Sequence, residues 1–178
     1  GSRALAAHAA DAVPALAACL DIGLRRMPNP RRRFALGMDE PFYLSTHSLY
    51  ARLAPEGRVL VSAAKYVPAG EEPDAARTLA ELEGFLDVVQ PGWRELEEHR
   101  QYLPNMVVQS AVPRADRGGI AGRPKPAVEE LPGLFIAGDW VGDGGWLTDG
   151  TLGSATRAAA AVAAWLAPER EPALAGAS

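Results

Sequence analysis

The chain has 178 residues, which is enough for one compact domain or a small two-lobed one. Hydrophobic residues make up 48% and charged residues 22%, an ordinary globular mixture that is able to bury a core. The formal net charge of −4 disfavours binding to a nucleic-acid backbone, so no nucleic-acid partner is predicted.

The first third of the chain predicts one helix and several short strands. An alanine-rich helix is expected from residue 3 to about residue 18, interrupted or offset by Pro14. Leu20, Ile22 and Leu24 then alternate with less apolar residues, a pattern typical of a half-buried strand. The segments "RFALGM", "FYLSTHS" and "RVLVSAAKYV" predict further strands, separated by turns. This region is therefore expected to form a meander.

The middle of the chain predicts one helix, one extended segment and one long loop. Leu79, Leu82, Leu86 and Val89 recur at nearly helical spacing within residues 74–89. "HRQYLPNMVVQSAV" returns as extended structure, and "PRADRGGIAGRPKPAVEELPG" is a loop rich in glycine and proline. Loops of that length often carry function or are shaped around a ligand.

The most informative stretch is "LPGLFIAGDWVGDGGWLTDGTLGSATRAAAAVAAWL". Residues 134–137 form a continuous apolar run, which predicts a strand buried on both faces. Gly138 would let the backbone approach a ligand closely, and Asp139 would place a carboxylate at the carboxyl end of that strand. Such a carboxylate is suited to accept hydrogen bonds from sugar or ribityl hydroxyls.

A helix is predicted to follow, from about Asp149 to Leu166, capped by Thr148 or Asp149. Its N-terminus favours a phosphate or a developing negative charge. One face is expected to pack closely against a sheet, and it consists of Ala155, Ala158, Ala159, Val162, Trp165 and Leu166. Spacing alone leaves a nucleotide-type cofactor site and a simple strand-loop-helix unit open. A calcium loop is disfavoured because the acids lack the alternate spacing of an EF-hand.

That stretch resembles the C-terminal flavin-binding segment of the FAD-dependent phytoene dehydrogenase (desaturase) and amine oxidase superfamily. The shared pattern is an apolar strand, "AGDW", a glycine-rich turn and a helix that contains "SA". The segments "CLDIGLRRMPNPRRRFALGMDEPFYLSTHS", "RVLVSAAKYVPAGE" and "VQPGWRE" look like the substrate domain of the bacterial phytoene dehydrogenase-like members. The resemblance therefore covers nearly the whole chain.

The resemblance implies FAD as cofactor and assigns its contacts. Asp139, flanked by Gly138 and Trp140, would bind the ribityl or pyrophosphate side of FAD. The residues after the turn would face the isoalloxazine ring, and they are Gly145, Trp146, Leu147, Thr148 and Asp149. The implied activity is hydride transfer between FAD and an apolar or amine-type substrate.

The family's N-terminal fingerprint, G-x-G-x-x-G, is absent from this sequence. Together with the opening Gly1-Ser2 and the lack of an initiating Met, this absence predicts the C-terminal part of a longer or two-part enzyme. Its N-terminal FAD-binding half would be the main partner, and the isolated chain is expected to be inactive. The alternative is a partner subunit or interaction module without a cofactor of its own.

Three side chains are weak candidates for catalysis. Alternation along "FYLSTHS" places Tyr43 and His47 on one face of a strand that could line a substrate cavity, and Tyr66 ends the strand "RVLVSAAKYV". A packed or surface position is the favoured interpretation of His47, and a place in the core is the favoured interpretation of Tyr66. Cys19 is the single cysteine, which excludes an intrachain disulfide and a thiolate metal cluster, and no metal is predicted.

These observations predict an α+β fold, with an α/β-type FAD-binding segment beside a mixed-sheet substrate domain. The predicted parts are a substrate-domain portion over 1–112, a Gly/Pro-rich connection over 113–133, a β-loop-α unit over 134–168 and a flexible tail over 169–178. No secretory signal is present and the longest apolar run is too short to span a membrane, so a cytoplasmic location with at most peripheral membrane contact is expected. An unpaired strand edge near Leu134 would favour self-association.

Overall fold

The computed structural model describes residues 1–68, 70–72 and 74–167. Over these residues the protein is a mixed α+β structure with a five-stranded antiparallel sheet and three α-helices. The chain divides into two compact units, one formed by residues 14–108 and the other by residues 1–13 and 109–178. None of the described helices is both long enough and apolar enough to cross a membrane. The predicted tail over 169–178 lies outside the described residues.

The continuous unit, 14–108, is built on the sheet. Its strands are β1 (Ala15–Leu24), β2 (Phe34–Leu36), β3 (Phe42–Ser45), β4 (Val59–Val67) and β5 (Glu97–Gln109), in the spatial order β2-β3-β4-β1-β5. β1 pairs antiparallel with β4 from Leu16 opposite Val67 to Leu24 opposite Val59. β3 pairs antiparallel with both β2 and β4. The predicted strands are thus present, although β1 lies beside β4 and not beside β2.

One face of this sheet carries the main hydrophobic core. Alternate residues of β1 and β4 point into it, and helix α2 (Ala75–Val89) contributes Leu82, Leu86 and Val89. Asp74 caps α2, its carboxylate accepting hydrogen bonds from the N–H groups of Ala76 and Arg77, both at 3.0 Å. The helix predicted over 74–89 is therefore confirmed, as is its apolar face.

The opposite face of the sheet carries small side chains. Directly opposed residues of neighbouring strands share a face, so Tyr43, Ala64 and Cys19 form one row across β3, β4 and β1. Tyr66 lies opposite Ala17 in a neighbouring row. On this face, the small side chains of Ala17, Cys19 and Ala64 thus lie beside the larger rings of Tyr43 and Tyr66.

The discontinuous unit holds helix α1 (Arg3–Asp11) and helix α3 (Leu147–Leu166), with 3-10 turns at Ala115–Arg117 and Gly119–Gly122. Ser2 caps α1, and its hydroxyl accepts a hydrogen bond from the Leu5 N–H at 3.1 Å. The Glu130 carboxylate accepts a hydrogen bond from the Ala4 N–H at 3.3 Å. These contacts join the start of the chain to the segment that leads to α3.

The first predicted helix is too long. α1 ends at Asp11, and β1 already begins at Ala15. Pro14 disfavours a helical conformation at Val13, which ends the helix. Residues 15–18 are good helix formers, but pairing with β4 and burial in the sheet override that preference.

The predicted strand over 134–137 is also not a regular strand. These residues are extended, and among the described residues they make one isolated antiparallel bridge, between Phe135 and Ala127. Leu134 and Ala137 are exposed, and Phe135 and Ile136 are half-buried, so the segment is not buried on both faces. A strand of that kind requires hydrogen-bonded neighbours on both edges, and the described residues supply only this bridge.

Candidate functional site

The segment after residue 137 is fixed by one buried hydroxyl. Ser154 of α3 is fully buried, and its Oγ accepts a hydrogen bond from the Gly138 N–H at 3.0 Å. The same Oγ lies 2.9 Å from the Gly138 carbonyl oxygen and 2.8 Å from that of Thr151, to either of which it can donate its single proton. Ser154 therefore holds the start of the glycine loop against the second turn of α3.

Asp139 is positioned at the turn that follows. Its Oδ2 accepts a hydrogen bond from the Ser110 N–H at 3.0 Å. The carboxylate is half-buried, and an ionised carboxylate can accept several hydrogen bonds through two oxygens. One oxygen is thus used to fix the side chain, which leaves acceptor capacity on the other for a hydroxyl of a ligand.

Trp140 folds back over the loop. Its ring stacks on that of His8 from α1, with the centroids 5.1 Å apart and the planes inclined by 22°. A Cβ atom at Gly138 would lie 2.6 Å from Trp140 Nε1. Gly138 is consequently required by the packing of this tryptophan, a requirement that is separate from the close ligand approach predicted from the sequence.

Close contacts also require glycine at two further positions of the loop that leads from Gly138 to α3, Gly142 and Gly145. Gly145 has φ +78°, and a Cβ there would lie 2.7 Å from the Gly150 nitrogen. A Cβ at Gly142 would collide with the Arg157 guanidinium, whereas a Cβ at Gly144 would lie 4.0 Å from Arg157 Nη1, an ordinary contact. The loop therefore closes onto the first turns of α3.

The start of α3 differs from the predicted one. The helix begins at Leu147, with Trp146 at the capping position and no side-chain capping bond to its first turn. Thr148 and Asp149 are exposed residues inside the first turn, so neither caps the helix as predicted. Trp146 and Leu147 are also exposed, at 51% and 45%. An uncapped helix start thus lies beside two exposed apolar side chains.

Leu147 adopts a left-handed conformation with φ 48°. A non-glycine residue in this region costs roughly 1–2 kcal/mol. Such strain persists only where the surroundings hold it in place, and it occurs often at ligand sites. Leu147 therefore lies at the N-terminal end of α3, which is the end where the sequence predicts ligand binding.

The predicted packing face of α3 is only partly buried. The buried residues of α3 are Gly150 and Ser154, and Ala158 and Val162 are half-buried on the same side of the helix. Ala155, Ala159 and Leu166 are exposed, and Trp165 is 58% exposed although its ring meets Phe135 edge-on at 6.4 Å. The buried face is thus rotated towards Gly150 and Ser154 relative to the predicted one.

Arg123 is a site residue that the sequence did not reveal. It is 8% exposed, its Nη1 donates a hydrogen bond to the Gly145 carbonyl oxygen at 2.9 Å, and its guanidinium lies 5.5 Å from the centre of the Trp146 ring. It fixes the turn that leads into α3. His8, Ser110 and Ser154 were not among the predicted site residues either, because each acts through a contact distant in sequence.

The residues from Gly138 to Asp149 fit the flavin predicted from the resemblance in two respects. Within the described residues Asp139 retains an acceptor oxygen, Oδ1, beside the one that is hydrogen-bonded, and the start of α3 presents a turn without a side-chain cap. The partial positive charge of a helix N-terminus suits the electron-rich edge of a reduced flavin, and an exposed indole suits a planar ring. These features make a flavin contact chemically reasonable for these residues.

The three weak catalytic candidates lie in the continuous unit. β3 ends at Ser45, and His47 begins a 3-10 turn, so His47 does not share a strand face with Tyr43 as predicted. The turn nevertheless brings Tyr43 Oη to 3.5 Å from His47 Nε2. Tyr66 is 43% exposed and borders a separate, strongly charged cavity with Lys65 and Glu81. The structure therefore brings together Tyr43 and His47 only.

The same unit has a larger cavity of about 450 Å³. Leu53, Ala54, Pro55 and Leu60 contribute apolar surface to it, and Asp21 contributes a carboxylate. Near it, burial raises the pKa of the Cys19 thiol, with a smaller contribution from the Asp21 charge. Cys19 is therefore disfavoured as a thiolate nucleophile.

No protein-family model matches the sequence. No curated protein matches it either. Among solved structures, the chain is similar to an oxidoreductase from Methanosarcina mazei, with a TM-score of 0.52 and 18% sequence identity. The match covers 88% of this chain but 37% of the other, so the chain spans little more than a third of that protein. At this identity the likeness shows the fold alone, and the phytoene dehydrogenase and amine oxidase assignment stays a prediction.

Proposed function

We propose that this chain is the C-terminal portion of a flavin-dependent oxidoreductase, similar to the phytoene desaturases, within a longer or two-part enzyme. The oxidoreductase neighbour supports this proposal at the level of fold. The observation that carries it is the start of α3, where an uncapped first turn, a strained Leu147 and an exposed Trp146 follow the half-buried Asp139.

Bound FAD would supply the hydride chemistry at its isoalloxazine ring. The chain's own part is to bind and orient. Asp139 is already fixed by the Ser110 N–H and would accept a hydrogen bond from a ribityl hydroxyl. The first turn of α3 would favour negative charge by roughly 0.3–1 kcal/mol, or up to ~2 kcal/mol where it is partly buried.

The exposed side chains at the helix start complete this role. Trp146 offers an aromatic surface, and Arg123 holds the preceding Gly145 carbonyl in place. Water would be excluded from the helix start by the same apolar side chains that are now exposed.

The substrate class that we propose is apolar or amine-type. The 450 Å³ cavity of the continuous unit supports an apolar substrate, because Leu53, Pro55 and Leu60 offer apolar contacts. Asp21 could pair with an ammonium group, although Arg58 and Arg100 line the same cavity. An ammonium substrate must lose a proton before it can donate a hydride, and desaturation of an apolar substrate also releases a proton. No residue of this chain is assigned as the proton acceptor, and Tyr43 and His47 remain candidates for positioning.

The test is flavin retention by the complete gene product that contains these residues. We expect it to copurify with FAD, visible as a flavin absorption spectrum. Asp139→Ala should weaken FAD binding by about 10- to 100-fold, because a hydrogen bond to a charged group contributes about 1.5–3 kcal/mol. Asp143→Ala is the matched control, since Asp143 is exposed in the same loop, and it should retain flavin.

Circular dichroism and thermal unfolding of both variants separate lost binding from lost folding. A complete gene product that stays colourless after incubation with FAD would refute the proposal and favour a partner subunit without a cofactor. Equal flavin occupancy in Asp139→Ala and the parent protein would refute the role of Asp139 alone.

A further inference from the structure

A further cavity lies within the discontinuous unit, apart from the start of α3. It has a volume of about 210 Å³, and its lining comes from α1, from residues 111–123 and from Trp140. Ala7, Ala12, Val112 and Pro113 supply apolar wall, while Arg114, Arg117 and Arg123 supply three guanidinium groups. The lining thus combines apolar surface with the three guanidinium groups and the Asp11 carboxylate.

Arg123 is the one guanidinium among the three that is both buried and incompletely bonded. It is 8% exposed, and Nη1 is used by the Gly145 carbonyl. Nε and Nη2 are buried and have no hydrogen-bond partner in the described part of the chain. A buried donor without a partner costs about 1–3 kcal/mol, and more where the group is charged, so two such donors on one side chain indicate a missing acceptor.

The two unused donors form one edge of the guanidinium plane. Nε–H and one N–H of Nη2 point in the same direction, and this fork matches the two oxygens of a carboxylate. Nη1, on the opposite side, anchors the group to the Gly145 carbonyl and prevents it from turning away. The edge is therefore held in place for bidentate binding.

The remaining charges define which anion fits. Arg114 pairs with Asp116 at 2.6 Å, and Arg117 pairs with Asp11 at 2.8 Å. The three guanidinium groups carry three positive charges and the two carboxylates carry two negative charges. One positive charge therefore remains, on Arg123. A monoanion would neutralise this charge, whereas a phosphate dianion would exceed it and would also face the Asp11 carboxylate.

We propose that this cavity binds a small molecule that carries one carboxylate group, with the carboxylate on the Nε–Nη2 edge of Arg123. His8 contributes a second contact, because its Nε2 is buried and has no partner among the described residues, and its ring is held by stacking on Trp140. The apolar part of the ligand lies against Ala7, Ala12 and Val112. Through Arg123 the bound carboxylate also secures the Gly145 carbonyl ahead of α3.

The test uses the present chain and the anions acetate and inorganic phosphate. Each is titrated against chloride at constant ionic strength, while ¹H–¹⁵N spectra follow the Arg123 Nε–H and Trp140 Nε1–H signals. We expect a saturable shift of both signals with acetate and weaker binding of phosphate. Arg123→Lys should weaken acetate binding by at least about tenfold, because lysine lacks the planar fork.

A second variant tests the cavity without changing Arg123, in case the Arg123→Lys protein misfolds. Ala7 is an exposed residue of α1 that lines the cavity, so Ala7→Leu fills the cavity while the helix and Arg123 stay intact. Ala10→Leu is the matched control, since Ala10 is exposed on the same helix and does not line the cavity. Acetate binding should be lost in Ala7→Leu and kept in Ala10→Leu.

Three results would overturn the carboxylate site. They are the absence of a saturable shift with acetate, unchanged acetate binding in Ala7→Leu, and tighter binding of phosphate than of acetate. Because acetate binding requires no flavin, its failure would leave the flavin proposal unaffected, and a colourless gene product would leave the carboxylate site unaffected.

Discussion

Replacing Ser154 by alanine removes a single oxygen from the interior of the discontinuous unit. The Ser154 Oγ accepts the Gly138 N–H at 3.0 Å and can donate to one of two carbonyl oxygens, those of Gly138 and Thr151. The side chain is fully buried on the inner face of α3, so water cannot take its place without rearrangement. The substitution therefore leaves the Gly138 N–H without an acceptor.

The expected cost follows from these contacts. An unsatisfied buried N–H costs about 1–3 kcal/mol, and we take about 2 kcal/mol because Gly138 itself is half-buried. Alanine recovers roughly 0.5 kcal/mol through its higher helix propensity. The net loss in the free energy of unfolding is then about 1.5 kcal/mol, which corresponds to a factor of about ten in the folding equilibrium constant.

Hydrogen exchange of the Gly138 amide measures this effect directly. We expect its exchange to accelerate by about tenfold in Ser154→Ala, and the midpoint of urea unfolding to fall. Thr156→Ala is the matched control, because its hydroxyl donates to the Leu152 carbonyl on the exposed side of the same helix at 2.9 Å. That variant should change stability by no more than about 0.5 kcal/mol.

The result that would refute this reasoning is a Ser154→Ala protein with unchanged Gly138 exchange and undiminished stability. The hydroxyl would then not be what holds the glycine loop to α3. A loss of stability without faster Gly138 exchange would place the energetic role of Ser154 in its other contact, to the Thr151 carbonyl.

Two further predictions concern the continuous unit. Gly84 lies exposed inside α2 with open space where an alanine methyl group would stand, so Gly84→Ala should raise the free energy of unfolding by about 0.5–1 kcal/mol, as chemical denaturation would show. The hydrogen bonds from Lys65, and then from Arg77, lower the pKa of Glu81 from its ordinary 4.5. Ionised Glu81 therefore contributes stability above pH 4.5, and this stability is lost as the pH falls through the depressed pKa. Lys65→Gln should raise the pKa of Glu81, which ¹³C NMR of the carboxyl group would measure, and the control Lys125→Gln should leave this pKa unchanged. An equal change of the Glu81 pKa in both variants would contradict the hydrogen bond from Lys65 as the cause of the shift.

Much of the continuous unit was predictable because its patterns are local. The alternation of Leu20, Ile22 and Leu24 indicated the core face of β1, and the helical spacing around Leu82 and Leu86 indicated α2. Both patterns record which side of an element faces the core. The order of the strands was not predictable, because the pairing of β1 with β4 depends on contacts between residues far apart in the sequence.

The discontinuous unit was less predictable because its contacts are long-range. The apolar run at residues 134–137 resembles a strand in composition, but a strand also needs neighbours, which composition does not record. Arg123 lies in an irregular loop without periodicity, so nothing local marked its burial or its bond to Gly145. Asp139 was predicted as a cofactor-binding residue because its motif resembles a known family, and its hydrogen bond from the Ser110 N–H shows how its carboxylate is held.

The division of the chain also bears on the order in which the protein folds. The continuous unit, residues 14–108, is inserted into the other one, whose α1 contacts residues such as Glu130 and Trp140. During synthesis α1 emerges first but must wait for these partners, whereas the inserted unit can complete its sheet as soon as β5 appears. Ala4 and Glu130 are 126 residues apart, so joining α1 to this partner closes a long loop, and an inserted unit that is already compact lowers the chain entropy lost in that closure. Folding of the inserted unit first therefore lowers the entropic cost of assembling the outer unit.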